Sequence, residues 1–300
     1  MANGISEAVG KEVLPYLAEL YQQLYLPPTE EGNPAYKPVV LAGEDVEKKD
    51  LSHFVMDDRD SCVLMDTPAG QVRAVTLHQR KDFETALNCI GSRCRITPVP
   101  ATQGASILDG VISWKKIRDH EKEYRRTADD WDAEFSRFTA DKKNYTEALI
   151  LLSYGPYSAV KAERLGIDEE TWLKQSDAIR RFHECTHFVA RRLYHDQINA
   201  VFDELAADAV GLYAALGRYD RSMAETFLGI QEGHYVKGRL ENYVKDPAPE
   251  TLVLLAGQAD TVMKRIGDLM DQNPDIGVFD LMILLEEHQQ ELLEGICFPE

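Results

Sequence analysis

The sequence lacks the features that mark membrane, secreted and disulfide-stabilised proteins. Its best apolar run, Ala148–Leu152, is far shorter than the roughly 18 residues that a membrane-spanning helix needs. Its N-terminal segment has neither the basic stretch nor the apolar stretch of a secretion signal. Its five cysteines are odd in number and include no C-x-x-C pair, which is typical of reduced thiols. We therefore expect a cytoplasmic protein with no membrane partner.

Positive charge is also scarce. The chain has 33 lysines and arginines against 51 acidic residues, which gives a formal net charge of −18. An acidic chain repels the phosphate backbone, and its basic runs are no longer than pairs or triplets such as Lys115-Lys116. We therefore expect no nucleic-acid partner, and we interpret the excess of acidic residues mainly as a source of solubility.

What the sequence does contain is typical of a globular protein with a sizeable core. Hydrophobic residues make up 44% of the 300 residues. Residues 1–110 mix a helical stripe at 5–26 with short β-like runs, whereas residues 111–300 are helical almost to the end. The predicted fold is therefore α+β and predominantly α, with a small mixed α/β N-terminal portion (1–110) on a helical domain (111–300). The predicted strands are Val39–Ala42, Ser61–Met65, Val72–Leu77 and Arg95–Val99. Helices are predicted near 83–90, 143–153, 158–165, 169–194, 200–217, 221–230, 250–272 and 277–295.

Aromatic and aliphatic residues recur every seven positions at the start of the helical domain, as Ile117, Tyr124, Trp131 and Phe138. This spacing predicts one long charged helix with a single apolar stripe. The stripe is short for a coiled coil, so we expect it to pack within the molecule. A seam for a partner helix is the alternative.

One segment carries a pattern with a specific chemistry, His183-Glu184-Cys185-Thr186-His187, which satisfies H-E-x-x-H. His183 and His187 are one helical turn apart and project from the same face, close enough to share a metal ion. Neutral imidazoles suit Zn²⁺, which lowers the pKa of a bound water toward neutrality. Glu184 is placed to accept the proton of that water as it attacks a carbonyl, and to deliver the proton to the leaving amine.

A catalytic zinc needs a third protein ligand, and the next helix offers one. Glu204 and Asp208 form an E-x-x-A-D pattern and are again one turn apart on one face. Glu204 can ligate zinc, while Asp208 can accept the spare ring N–H of His183 and fix its tautomer. Asp203 and Asp196 are rival ligands outside that register.

Together these motifs make the chain resemble the gluzincin metallopeptidases, which carry H-E-x-x-H on one helix and E-x-x-x-D on the next. The E-x-x-A-D form is most similar to the CAAX-prenyl-endopeptidase relatives and their soluble minimal versions, although the transmembrane helices of those relatives are absent here. The resemblance covers residues 180–212. It implies a zinc peptidase acting on a peptide or protein substrate, with His183, His187 and Glu204 as ligands and Glu184 as general base.

A peptidase of this kind also needs a hydrogen-bond donor for the oxyanion of the tetrahedral intermediate. The candidates are His234 and Tyr235, and Arg239 beside them can bind a substrate carbonyl or carboxylate. Tyr154 and Tyr157 form a second set. Two alternatives to the peptidase stay open: a zinc-binding scaffold or regulatory protein without catalysis, and a helical interaction protein in which the motif is fortuitous.

Overall fold

The computed structural model of the chain describes residues 4–195, 199–245 and 247–299. They form two compact units. The first comprises the residues up to Asp66 together with Gln71–Tyr154, and the second comprises Thr67–Gly70 together with the chain from Gly155 onward. Helix accounts for 53% and strand for 15% of the structure, which confirms the predicted α+β, predominantly α fold.

The first unit is built on a five-stranded mixed sheet. Its strands are β1 (Gly4–Val9), β2 (Ser61–Thr67), β3 (Gly70–Leu77), β4 (Ala105–Ile112) and β5 (Thr146–Ser153), in the spatial order β1-β2-β3-β5-β4. Strand β3 runs parallel to β5, with Arg73 opposite Leu149, whereas β4 pairs antiparallel with β5. The apolar run Ala148–Leu152 is buried throughout, because β5 lies inside the sheet between two neighbours.

Four helices accompany this sheet: α1 (Val13–Leu20), α2 (Arg80–Gly91), α3 (Trp114–Tyr124) and α4 (Trp131–Thr139). Leu17 of α1, Phe83 of α2 and Leu151 of β5 belong to one continuous apolar core. Because β5 lies between β3 and β4, the residues that lead to it belong to the same unit. The first unit therefore extends to Tyr154, beyond the predicted boundary at residue 110.

Several predicted elements of the first unit differ in the structure. The predicted helix at 5–26 is a strand followed by α1, because Gly10 takes a left-handed conformation between them. The predicted helix at 143–153 is strand β5. The predicted strand Val39–Ala42 lies in a helical turn at Lys37–Leu41.

The predicted strand Arg95–Val99 makes, among the described residues, a single bridge, between Arg95 and Thr29. Two features oppose a longer pairing. Arg93 and Cys94 before it take positive φ angles, and Pro98 within it has no backbone N–H. The strand predicted for this segment is therefore absent.

The apolar stripe whose residues recur every seven positions is divided between two helices, whereas the sequence predicts one. The chain leaves α3 after Tyr124 and begins α4 at Trp131, where Asp130 caps the helix by accepting from Ala133 N. The rings of Tyr124 and Trp131 lie 6.2 Å apart, and His120 stacks on Phe138 at 4.1 Å. The stripe therefore packs on itself within the first unit.

The second unit is helical apart from a short hairpin. Its elements are α5 (Ala162–Leu165), α6 (Glu169–Leu193), α7 (Ala200–Leu216), α8 (Arg221–Leu228), β6 (Ile230–Gln231), β7 (His234–Tyr235), α9 (Pro249–Asp271), α10 (Val278–Glu287) and α11 (Gln289–Leu292). Side chains of Asp168 and Asn199 cap the first turns of α6 and α7, and a left-handed Gly217 ends α7. Helices α6, α7, α8 and α9 begin and end within two residues of the predicted positions. The predicted helix at 158–165 is an α-helix only from Ala162, and the single helix predicted at 277–295 is divided into α10 and α11.

Helices α6 and α7 pack tightly against each other at the centre of this unit. A Cβ atom on Gly211 would lie 2.7 Å from the carbonyl oxygen of Ile179, so the two backbones approach too closely for a side chain there. Ala206 and Ala207 are fully buried on α7. Small residues thus bring the two motif-bearing helices together. Within the described ranges, no helix is both long enough and apolar enough to cross a bilayer.

Candidate metal centre

Two imidazoles of α6 and one carboxylate of α7 converge inside the second unit. The Nε2 atoms of His183 and His187 lie 3.0 Å apart. Glu204 places one carboxylate oxygen 3.5 Å from His183 Nε2 and the other 3.6 Å from His187 Nε2. Both histidines are buried, and Glu204 is partly exposed. Among the described residues, these three form the one cluster of histidine, cysteine and acidic side chains with metal-ligand spacing.

The other ring nitrogen of each histidine faces a carboxylate of α7. His183 Nδ1 lies 3.0 Å from Asp208 Oδ1, and His187 Nδ1 lies 2.8 Å from Asp203 Oδ2. Because a carboxylate can only accept, each Nδ1 carries a hydrogen, and each neutral imidazole then presents a lone pair at Nε2. The two lone pairs face each other and the Glu204 carboxylate. Such an arrangement is repulsive unless a cation or a proton lies between the groups.

The donor set fits a zinc ion in both chemistry and spacing. Ligand atoms about 2.05 Å from a tetrahedral zinc lie about 3.3 Å from one another. The two imidazole nitrogens are 3.0 Å apart, and the separations from each nitrogen to its nearer Glu204 oxygen are 3.5 and 3.6 Å, so the three values bracket that distance. Three protein ligands would leave one position of a tetrahedral ion free, as in catalytic zinc sites, whereas structural sites use four.

Asp208 is itself held by two further residues from outside the helix pair. Tyr157, in the segment before α5, donates its hydroxyl hydrogen to Asp208 Oδ1 at 2.6 Å. Arg239 donates from Nη2 to Asp208 Oδ2 and from Nη1 to the Tyr157 hydroxyl oxygen at 2.8 Å. Burial would raise the pKa of the Asp208 carboxyl, but the Arg239 and His183 charges outweigh it and hold the pKa below its usual range. Asp208 therefore stays ionised behind His183.

The field at the cluster favours positive charge. Burial alone would lower the pKa of His187, yet the hydrogen bond and charge of Asp203 and the charge of Glu204 raise it to about 9. The same carboxylates that attract a proton to an empty cluster favour a divalent cation in its place.

A buried carboxyl from α10 completes the surroundings of His187. Glu286 Oε1 and Asp203 Oδ1 are both buried without a hydrogen-bond partner in the described part of the chain. Burial, together with the Asp203 charge, raises the pKa of Glu286 to about 7. Glu286 thus contributes an acid whose charge state changes near neutral pH.

The sequence matches the profile of a family of unknown function (DUF7005) over residues 3–266, a range that includes both motif-bearing helices. The chain belongs to that family. No curated protein and no solved structure matches it. The chemistry of this DUF7005 member therefore has to be inferred from its own residues.

Glu184 lies one position after His183 on α6, and its side chain is half-buried. It forms no hydrogen bond or ion pair with any described residue, although its charge acts on both His187 and Arg180. A carboxylate beside the cluster that is not engaged elsewhere has the freedom that a general base needs.

The predicted oxyanion donors lie in and beside the hairpin that follows α8. His234 is exposed on β7. The Tyr235 hydroxyl donates to Glu241 at 2.7 Å and accepts from the backbone N–H of Gly238, which engages it within its own loop. Arg239 is committed to Asp208 and Tyr157 and not to an open substrate site.

Tyr243, which no sequence motif marks, has a hydroxyl that reaches one of the ligand candidates. It donates to Glu204 Oε2 at 2.9 Å, and burial raises its pKa. Of the rival ligands, Asp203 holds His187 from the Nδ1 side, and Asp196 lies outside the described residues. Tyr243 ends a 3₁₀ helix (Arg239–Tyr243) and lies 39 positions after Glu204, and no motif spacing links the two in the sequence.

Proposed function

We propose that this protein is a zinc-dependent metallohydrolase that cleaves peptide bonds, with a site of the gluzincin type. The observation that carries the proposal is the convergence of two Nε2 lone pairs and one carboxylate, with both Nδ1 hydrogens committed to Asp203 and Asp208. His183, His187 and Glu204 would hold the ion, and Asp203 and Asp208 would fix the ring orientations.

In this proposal the metal, when bound, supplies a Lewis acid that polarises a carbonyl and lowers the pKa of water. The chain's own residues supply the proton transfers. The Glu184 carboxylate accepts a proton from the attacking water, holds it, and returns it to the leaving nitrogen. Tyr243, whose hydroxyl lies 2.9 Å from Glu204, is the nearest candidate donor to a developing oxyanion.

The substrate class in this proposal is a peptide or protein. The five cysteines are free thiols in the structure, which supports placing this activity in the reducing cytoplasm.

Metal content and hydrolysis, measured on the same variants, test the proposal. The purified protein should contain close to one zinc per chain, and His183→Ala should lose it. Glu184→Gln should keep the zinc and fold normally, yet lose most turnover of a peptide library, by about 10²–10⁴-fold. Glu169→Gln makes the same change at an exposed position of α6 and serves as the matched control.

Each alternative has its own result. Zinc binding without turnover of any peptide by the wild type would favour a zinc-binding scaffold. Absence of zinc would favour a helical interaction protein. Hydrolysis that survives in Glu184→Gln would remove the assigned general base.

A further inference from the structure

A second candidate binding site lies in the same unit, in a cavity of about 350 Å³. Its first wall runs from Ser158 to Arg164, and its second consists of Thr226-Phe227 and Lys237-Gly238. We propose that this cavity binds a small molecule through a dianionic phosphate group. The proposal does not depend on the function assigned to the metal centre.

The rim of the cavity carries a net positive charge. Lys161, Arg164 and Lys237 line it together with one acidic residue, Glu163, which leaves an excess of two positive charges. None of the three cations forms an ion pair with a described residue, whereas most other arginines of the chain do. In a chain of net charge −18, a local excess of two matches a phosphate dianion and is available for it.

The two walls are held in place by one close backbone contact and by hydrogen bonds of neighbouring residues. A Cβ on Gly238 would lie 2.4 Å from the backbone nitrogen of Gly229, so the segment carrying Lys237 is pressed against the end of α8. On the other side, Tyr157 N donates to the buried Ser176 Oγ at 3.0 Å. The hydrogen bond from Arg239 Nη1 to the Tyr157 hydroxyl joins the residues that flank the two walls.

The first wall also contains an unsatisfied polar atom and a strained backbone. Ser158 Oγ is buried without a hydrogen-bond partner among the described residues. Ser158 and Ala159 have φ angles of 50° and 55°, a conformation that non-glycine residues adopt at a cost and that concentrates at functional sites. An incoming phosphate oxygen would give that hydroxyl a partner.

The size and lining of the cavity indicate what accompanies the phosphate. A volume of about 350 Å³ exceeds what inorganic phosphate fills and lies within the range of small-molecule sites. Phe227 and Val160 supply apolar surface beside the cations. An organic phosphomonoester therefore fits better than the free ion.

Titration calorimetry at constant ionic strength tests the proposal, with phenyl phosphate as probe and phenylacetate as a monoanion of similar shape. We expect saturable binding of phenyl phosphate, and binding of phenylacetate weaker by about tenfold. Lys161→Gln combined with Arg164→Gln should weaken phenyl phosphate binding by about tenfold or more, and Ser158→Ala should weaken it less. Lys264→Gln combined with Lys174→Gln removes two exposed cations elsewhere and should leave the affinity unchanged.

A further variant separates this cavity from the metal centre. His183→Ala should bind phenyl phosphate as the wild type does, because none of the lining residues is a proposed metal ligand. Loss of binding in His183→Ala would assign the phosphate to the metal centre and overturn the proposal. No saturable binding at millimolar concentrations, equal affinity for the two probes, or an equal effect of the control pair would also overturn it.

Discussion

Replacing Gly211 by alanine tests whether the close approach of α6 and α7 sets the geometry of the metal centre. The new Cβ would lie 2.7 Å from the Ile179 carbonyl oxygen and 3.1 Å from Ile179 Cγ2. An ordinary van der Waals contact begins near 3.4 Å, so the helices would have to separate by about 0.7 Å. Metal sites tolerate ligand displacements of about 0.2 Å, and the imidazoles and Glu204 lie on opposite helices.

Two opposing effects set the change in the free energy of unfolding that Gly211→Ala should cause. Alanine is about 1 kcal/mol more favourable than glycine in a helix interior. Overpacking between two backbones costs about 2 kcal/mol, which leaves a net loss of about 1 kcal/mol. The midpoint of thermal unfolding should therefore fall by about 2–4 °C, and the zinc affinity should fall with it.

Gly257→Ala is the matched control. Gly257 lies in the interior of α9, it is exposed, and a Cβ there would meet no atom within 4 Å. Gly257→Ala should gain the higher helix propensity of alanine without the cost of overpacking. Its unfolding midpoint should therefore rise by about as much as that of Gly211→Ala falls. Circular dichroism gives the midpoints, and competition with a chelating dye gives the zinc affinity. Equal stabilisation by both substitutions, with unchanged zinc affinity, would refute the argument that helix contact positions the ligands.

Two further substitutions probe the groups behind His187. The Glu286 carboxyl has a pKa raised from its ordinary 4.5 to about 7, so the folded protein favours its protonated form, and stability is lost as the pH rises from about 4.5 to about 7. In denaturant titrations, Glu286→Gln should therefore be more stable than the wild type at pH 8 by about 1–3 kcal/mol and no more stable at pH 4. Glu287→Gln, at the exposed neighbouring position, should match the wild type at both pH values. Asp203→Asn should weaken zinc binding by about 10–100-fold, because it loses the carboxylate that orients His187. Asp268→Asn, at an exposed position, should leave zinc binding unchanged. Equal zinc affinities in these two variants would show that Asp203 does not orient the ligand.

Helices α6 and α7 could be predicted closely because their boundaries depend on local signals. Asp168 and Asn199 cap α6 and α7 with their own side chains, and Gly217 ends α7 in the conformation that glycine adopts most easily. The motif residues on these helices follow from the same periodicity. Their placement needs no knowledge of distant parts of the chain.

Strand β5 could not be predicted in the same way. A continuous apolar run such as Ala148–Leu152 suits a buried strand or a buried helix equally, and periodicity does not separate them. What decides is pairing with β3 and β4, whose residues are remote in the sequence. The same limit applies to the site. Tyr243 reaches Glu204 from a 3₁₀ helix 39 positions later, so no spacing rule could have assigned it.

The proximity of the two motifs in the sequence has a consequence for how the molecule folds. His183, His187 and Glu204 lie within 22 consecutive residues, whereas the sheet of the first unit joins Arg73 to Leu149, 76 positions later. Short loops close at a smaller entropic cost, and contacts of low sequence separation form faster. The ligand helices should therefore pair early in refolding, before the parallel strands meet. Metal present at that stage would bind a nucleus and not a finished protein, so it would accelerate folding of the second unit as well as stabilise it.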